Sequence, residues 1–142
     1  MRFWDSSALV PLVVHQPSSA QVEGWLAEDP DAVTWTLATV EIVSALRRLV
    51  REGVLEERVA LVAEGLAADL LVHSHVVTDI ERVKALATRL LRVHALRAAD
   101  ALQLGAALAW ADGNPDGLVL HSFDPRLGLA AQREGFRVIS GG

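Results

Sequence analysis

Short apolar runs alternate with longer amphipathic ones along this chain. "RFW" (Arg2 to Trp4) reads as a short strand, and Ser7 to about Val14 as a short helix. Ser18 and Gln21 have capping-box spacing, which predicts a helix over "SAQVEGWLAE". Pro30 breaks the chain before "AVTW" (Ala32 to Trp35), a strand-like run. A strong helical period follows from Ala38 to Glu52. It puts Ile42, Leu46, Leu49 and Val50 on one face, and Gly53 stops it. Glu56 to about Leu71 is a second amphipathic helix, which pairs with the first as a hairpin.

"LVHSHVV" (Leu71 to Val77) alternates as a strand does, with His73 and His75 on one side. Thr78 and Glu81 form another capping box, opening a helix that ends near His94. Ala and Leu make "RAADALQLGAALAW" helical, and "ADGNPDG" is a loop. "LVLHS" (Leu118 to Ser122) is a buried strand. Asp124 caps "PRLGLAAQREG", with Pro125 in its first turn, and "RVI" (Arg137 to Ile139) is a last strand. Strands separated by helices predict an α/β fold with a mainly parallel central sheet under helices. Ligands of such sheets gather at the carboxyl ends of the strands. Asp5 and Asp124 each directly follow a predicted strand, so both stand out.

Composition narrows the function. The 142 residues suit one domain, 1–142, and 51% of them are hydrophobic, enough for a good core. No cysteine is present, which excludes disulfides and thiolate metal sites. No apolar run reaches the roughly 18 residues of a membrane helix. The first residues lack a secretory pattern, so a cytoplasmic location is expected and no membrane partner. The net charge of −5 argues against a non-specific nucleic-acid coater. It leaves room for an enzyme that holds phosphates through metal ions, because bound cations invert the local charge.

Four acids stand in unexpected company: Asp5, Glu41, Asp100 and Asp124. Each has a plain alternative. Asp5 and Asp124 can cap helices, and Glu41 can sit solvated at a helix edge. Asp100 interrupts a small and apolar run whose Ala98, Ala99, Ala101 and Leu104 suggest an enclosed position, where an unpaired carboxylate is costly. Ser44, Ala45 and Arg48 lie along the Glu41 side of their helix, and Gln103 lies along that of Asp100. If the four acids converge, cations or protons must relieve their repulsion. All-oxygen ligands favour Mg²⁺ or Mn²⁺. Such ions can activate water for phosphodiester cleavage.

The ordered set "DSSAL", "TVEIVSALRR", "AADALQLGAAL" and "HSFDPRL" resembles a PIN domain across nearly the whole chain. More narrowly, it is similar to the VapC ribonuclease toxins of bacterial toxin–antitoxin pairs. The resemblance implies a three-layer α/β/α sandwich and a metal-dependent endoribonuclease acting on RNA. It implies an acidic Mg²⁺ or Mn²⁺ site from Asp5, Glu41, Asp100 and Asp124. Ser7, Ser6 and Ser122 would support that site. It further implies a homodimer inhibited by a cognate antitoxin. The loop "WADGNPDGL" is long for the family and loosens the placement of Asp124.

Other features have competing readings. Arg47, Arg48, Arg97 and Arg126 are candidates for RNA contact or simply solvated. His73 and His75 form an H-x-H pair with no evident third ligand. The four tryptophans are scattered, which suits core or interface anchors better than a base-stacking platform. Apolar positions between Val54 and Leu71 suit either the core or a dimer or antitoxin contact. Two rival functions remain: a catalytically silent PIN-like module working through its partner, and a phosphoryl-transfer hydrolase with Asp5 as nucleophile. The second usually needs another acid two residues on, where Ser7 stands.

Overall fold

The computed structural model describes residues 1–141. Its elements run β1 (Arg2–Trp4), α1 (Ser6–Val13), α2 (Ser19–Glu28), β2 (Ala32–Trp35), α3 (Ala38–Arg51) and α4 (Glu57–Val72). They continue β3 (His75–Val77), α5 (Ile80–Val93), α6 (Ala98–Trp110), β4 (Val119–His121), α7 (Pro125–Glu134) and β5 (Arg137–Ile139). The strands form one five-stranded sheet in the order β3-β2-β1-β4-β5, and every pairing is parallel. β1 is therefore central, flanked by β2 and β4.

Strand alternation divides the core in two. Phe3, Val33, Trp35 and Leu120 face one layer, packing with Val83 and Leu90 of α5, Leu104 of α6 and Leu127 of α7. Trp4 and Ala32 face the other, packing with Leu9 of α1, Val22 of α2, Ile42 and Leu46 of α3 and Ala67 of α4. Helices α1 to α4 thus cover one side of the sheet and α5 to α7 the other, an α/β/α arrangement. On the first side the rings of Trp4, Trp25, His121 and Phe123 stack in a cluster, with centroids 4.4 to 6.3 Å apart. At Gly105 a Cβ would meet the Val83 carbonyl oxygen at 3.0 Å, so α5 and α6 approach closely because that position lacks a side chain.

Several local expectations are corrected. His73 is the C-cap of α4 rather than a strand residue, and only His75 lies in β3. The H-x-H pair is thereby split between two elements. Ser18 makes no side-chain cap. The hydroxyl of the next residue, Ser19, ties the start of α2 to the preceding segment, donating to the Pro11 carbonyl at 2.7 Å and accepting the Gln16 N–H at 2.9 Å. The N-cap of α5 is Asp79, whose carboxylate accepts the Arg82 N–H, and not Thr78. Helix α4 turns its alanines inward (Ala60, Ala63 and Ala67) and leaves Leu61, Val62 and Leu66 exposed. Small residues let α4 lie close to its neighbours, and its larger aliphatics are left outside.

Candidate active site

Asp5 occupies the N-cap position of α1, yet its side chain makes no cap bond. The cap reading of that carboxylate therefore fails. Its backbone carbonyl starts the helix, accepting from the N–H groups of Ala8 and Leu9. The side chain turns inward, and the residue is only 3% exposed. There Oδ2 accepts the Ser7 hydroxyl at 2.5 Å and the Ser122 hydroxyl at 2.8 Å. Each hydroxyl has one proton to give, and both are committed to Asp5. Their oxygens in turn accept backbone N–H groups: Phe123 to Ser7 at 2.9 Å and Asp124 to Ser122 at 3.0 Å. Residues that follow β1 and β4 are thus clasped together at the carboxyl edge of the sheet.

Ser6 faces two carboxylates. It lies 2.7 Å from Glu41 Oε2 and 3.4 Å from Asp5 Oδ1. One proton cannot serve both, and the shorter bond wins. Glu41 Oε2 also accepts from Gln103 Nε2 at 3.1 Å, linking α3 to α6. Asp5 Oδ1 is left with the weak 3.4 Å contact alone. It is the least committed oxygen of the clasp.

Asp100 stands in the first turn of α6 and Asp124 at the N-cap of α7. Both are half-buried. Ala98 and Ala99 are exposed, so Asp100 sits at a rim rather than in the enclosed position its neighbours suggested. Asp124 does cap its helix: Oδ1 accepts the N–H of Arg126 at 2.9 Å and of Leu127 at 3.3 Å. Asp100 and Asp124 line a cleft of about 630 Å³ with Ser44, Arg48, Arg97 and Arg126. Glu41, Ser6 and Ser7 line an adjoining cleft of about 450 Å³, which shares Ser44, Arg48 and Asp124 with the first.

The electrostatics tie the acids into one group. Burial raises the Asp5 pKa, opposed by hydrogen bonds from Ser7 and Ser122 and reinforced by repulsion from Asp124. Burial also raises Glu41, with Asp5 and Asp100 adding to the rise and Ser6 and Gln103 opposing it. Asp100 is pushed up to about 6, by burial first and then by Asp124 and Asp5. A set of neighbouring carboxylates whose pKa values climb is one that a cation would relieve.

The donor set fits a hard divalent cation, since it consists of oxygens with no thiolate or imidazole. Among the described residues no three His, Asp or Glu side chains are spaced to share an ion as they stand. Mg²⁺ commonly takes one or two carboxylates and completes its shell with water and phosphate oxygens. The loosely held Asp5 Oδ1 suits that role.

Of the candidate cations, Arg48, Arg97 and Arg126 line the cleft, whereas Arg47 is bound to Glu57 and Glu64 at the α3–α4 hairpin. The sequence identified Gln103 only as a neighbour of Asp100. Its bond to Glu41 depends on how α3 and α6 meet, although an amide within an Ala/Leu helix marks it as needing a partner. Gln103 is 1% exposed.

The sequence matches the family described as the PIN domain over residues 2–131. It is 33% identical over 136 residues to "Ribonuclease VapC45" of Mycobacterium tuberculosis (strain CDC 1551 / Oshkosh). That match covers 96% of this chain and 92% of the relative. "Ribonuclease VapC49" of the H37Rv strain of the same species gives the same figures. Among solved structures, FitAcB from Neisseria gonorrhoeae superposes with a TM-score of 0.65 at 17% identity, over 97% of this chain and 96% of that one. FitAB bound to an IR36 DNA fragment superposes with a TM-score of 0.65 at 15% identity, over 99% and 94%. At these identities the two structures speak for the fold alone.

Proposed function

The chain belongs to the PIN-domain family, and on that premise we propose that it is a metal-dependent endoribonuclease, the toxin of a toxin–antitoxin pair. The observation that carries the reading is the hydroxyl clasp on Asp5 beside Glu41, Asp100 and Asp124. The ribonuclease names of the two mycobacterial relatives support the substrate class.

In this reading Asp5, Glu41, Asp100 and Asp124 hold Mg²⁺ or Mn²⁺. Such an ion supplies Lewis-acid polarisation of the phosphate and an acidified water. The chain's own residues do the rest. Ser7 and Ser122 fix the Asp5 carboxylate through Oδ2 and leave Oδ1 with only the weak Ser6 contact. Ser6 and Gln103 fix Glu41. Asp100, whose carboxyl is held above the ordinary range by burial and by Asp124 and Asp5, is the acid whose charge a bound cation would most relieve. Arg48, Arg97 and Arg126 supply positive charge for RNA phosphates.

The proposal extends to the setting. The chain acts as one PIN-like domain in the cytoplasm, as a homodimer, restrained by a cognate antitoxin. The exposed Leu61, Val62 and Leu66 of α4 support a protein partner on that face. No helix among the described residues is long and apolar enough to cross a membrane.

Asp5→Asn is expected to abolish RNA cleavage, with unchanged circular dichroism. Excess EDTA is expected to stop the unaltered enzyme, and equal cleavage in EDTA would sink the metal mechanism. The rival reading is a silent module that acts through its partner, and the presence of all four acids speaks against it. Titration calorimetry with Mn²⁺ on antitoxin-free protein separates the two: no metal uptake sides with the module.

A further inference from the structure

A second groove, of about 570 Å³, runs along α7 and the segment between α5 and α6. Its lining includes Leu91, Leu96, Leu129, Arg97, Arg126 and Arg133. Arg97 and Arg126 also line the cleft that holds Asp100 and Asp124, so groove and cleft meet at those two side chains.

The charge of this groove is uncompensated. Among the described residues, Arg97, Arg126 and Arg133 form no ion pair, nor do Arg48, Arg51, Arg58, Arg92 and Arg137, and what sets the three apart is that they line one groove. The acid at the end of α7, Glu134, is already taken. Arg89 reaches it at 2.6 Å and His94 at 2.7 Å. Isolated arginines on a surface are usually just solvated. Three that share one groove, continuous with an acidic cleft, in a chain of net charge −5, are a concentrated exception.

The rest of the lining narrows the ligand. Leu91 is 44% exposed and Leu129 49%, so apolar surface lies open beside the guanidiniums. A ligand matching both carries regularly spaced anions and flat apolar faces. Single-stranded nucleic acid has both at a regular repeat, while a purely acidic segment matches only the charge.

We propose that this groove binds the single-stranded RNA that flanks the bond to be cut. Phosphates meet Arg97, Arg126 and Arg133, and bases lie against the leucines. The proposal rests on the ribonuclease reading, and Arg133 is the residue that tests it, because it lines the groove and not the cleft.

The test measures binding without turnover. Fluorescence anisotropy follows a labelled oligouridylate on Asp5→Asn protein, with and without Arg133→Ala, across a salt series. Arg133→Ala is expected to weaken binding about five-fold, the loss of one exposed ionic contact. It is also expected to flatten the slope of log affinity against log salt by about 0.7. Arg58→Ala, on α4, is expected to change neither. Unchanged affinity in Arg133→Ala overturns the proposal. So does a loss confined to a polyglutamate probe, which would assign the groove to an acidic protein segment. Cleavage by the unaltered protein is scored separately. A five-fold loss with no cleavage by that protein supports the groove and refutes the ribonuclease reading. Cleavage with unchanged Arg133→Ala affinity refutes the groove alone.

Discussion

Replacing Asp100 by Asn should make the protein more stable. The carboxyl is half-buried at the start of α6, and its pKa is raised from 3.8 to about 6, by burial first and then by Asp124 and Asp5. A carboxyl whose folded pKa is raised binds its proton more tightly folded than unfolded. Stability is therefore greatest below the unfolded value and falls as pH rises from about 4 to about 6. Above that window the penalty is complete. In a dry site such a displacement is worth about 3 kcal/mol. Asp100 is partly open to water, and screening reduces the figure to about 1.5 kcal/mol. Asn keeps the shape and removes the charge. Asp100→Asn is thus expected to gain about 1.5 kcal/mol near neutral pH, or a melting temperature higher by about 5 °C. Near pH 4 the gain should shrink towards zero. Urea and thermal denaturation at both pH values, followed by circular dichroism, measure it. Adding Mg²⁺ should stabilise the unaltered protein and leave the variant nearly unmoved. A variant no more stable than its parent near neutral pH would refute the claim that burial and the neighbouring acids penalise the charged Asp100 in the fold.

Two further outcomes test the fold around the site. His121 is buried in the aromatic cluster, and its pKa is lowered from 6.5 to about 4, by burial first and then by Arg2. Its contribution runs opposite to that of Asp100: stability is present above about 6.5 and is lost as pH falls towards about 4, by up to about 3 kcal/mol. His121→Phe should flatten the acid limb of a urea midpoint against pH, and an unchanged limb would show that His121 does not govern it. Gly105→Ala should cost about 1–3 kcal/mol in urea denaturation, because its Cβ meets the Val83 carbonyl at 3.0 Å and helix backbone gives little. A neutral effect would mean that α5 and α6 can separate freely.

The strands that carry the acids were legible because they are short, apolar and followed at once by Asp5 or by Ser122 to Asp124. Parallel strands bury both faces, so a polar residue at the end of the run marks the sheet edge. What stayed hidden was decided by partners far along the chain. The cap expected of Ser18 is not made, and the start of α2 is anchored instead by the Ser19 hydroxyl, because the Pro11 and Val14 carbonyls of the preceding segment lie within its reach. The segment from Leu71 to His73 is compatible with strand and helix alike, and its continuity with α4 decided the matter. The amphipathic pattern of α4 could not reveal that alanines would face inward, because periodicity locates a stripe and not the room available beneath it. For Asp5, a cap and an inward carboxylate look identical in sequence. Only the hydroxyl of Ser122, 117 positions away, separates them.

That separation sets the order in which the site can be made. The clasp on Asp5 needs Ser122, and the central strand needs β4 as its neighbour. During synthesis Asp5 emerges 117 residues before Ser122, and its surroundings stay incomplete until β4 and the residues after it have been released. A truncated or stalled product lacks the third hydroxyl, Asp124 and one flank of β1 together. A copy that stops before β4 therefore has Asp5 without the groups that hold its carboxylate, so topology alone makes the site a late product of folding.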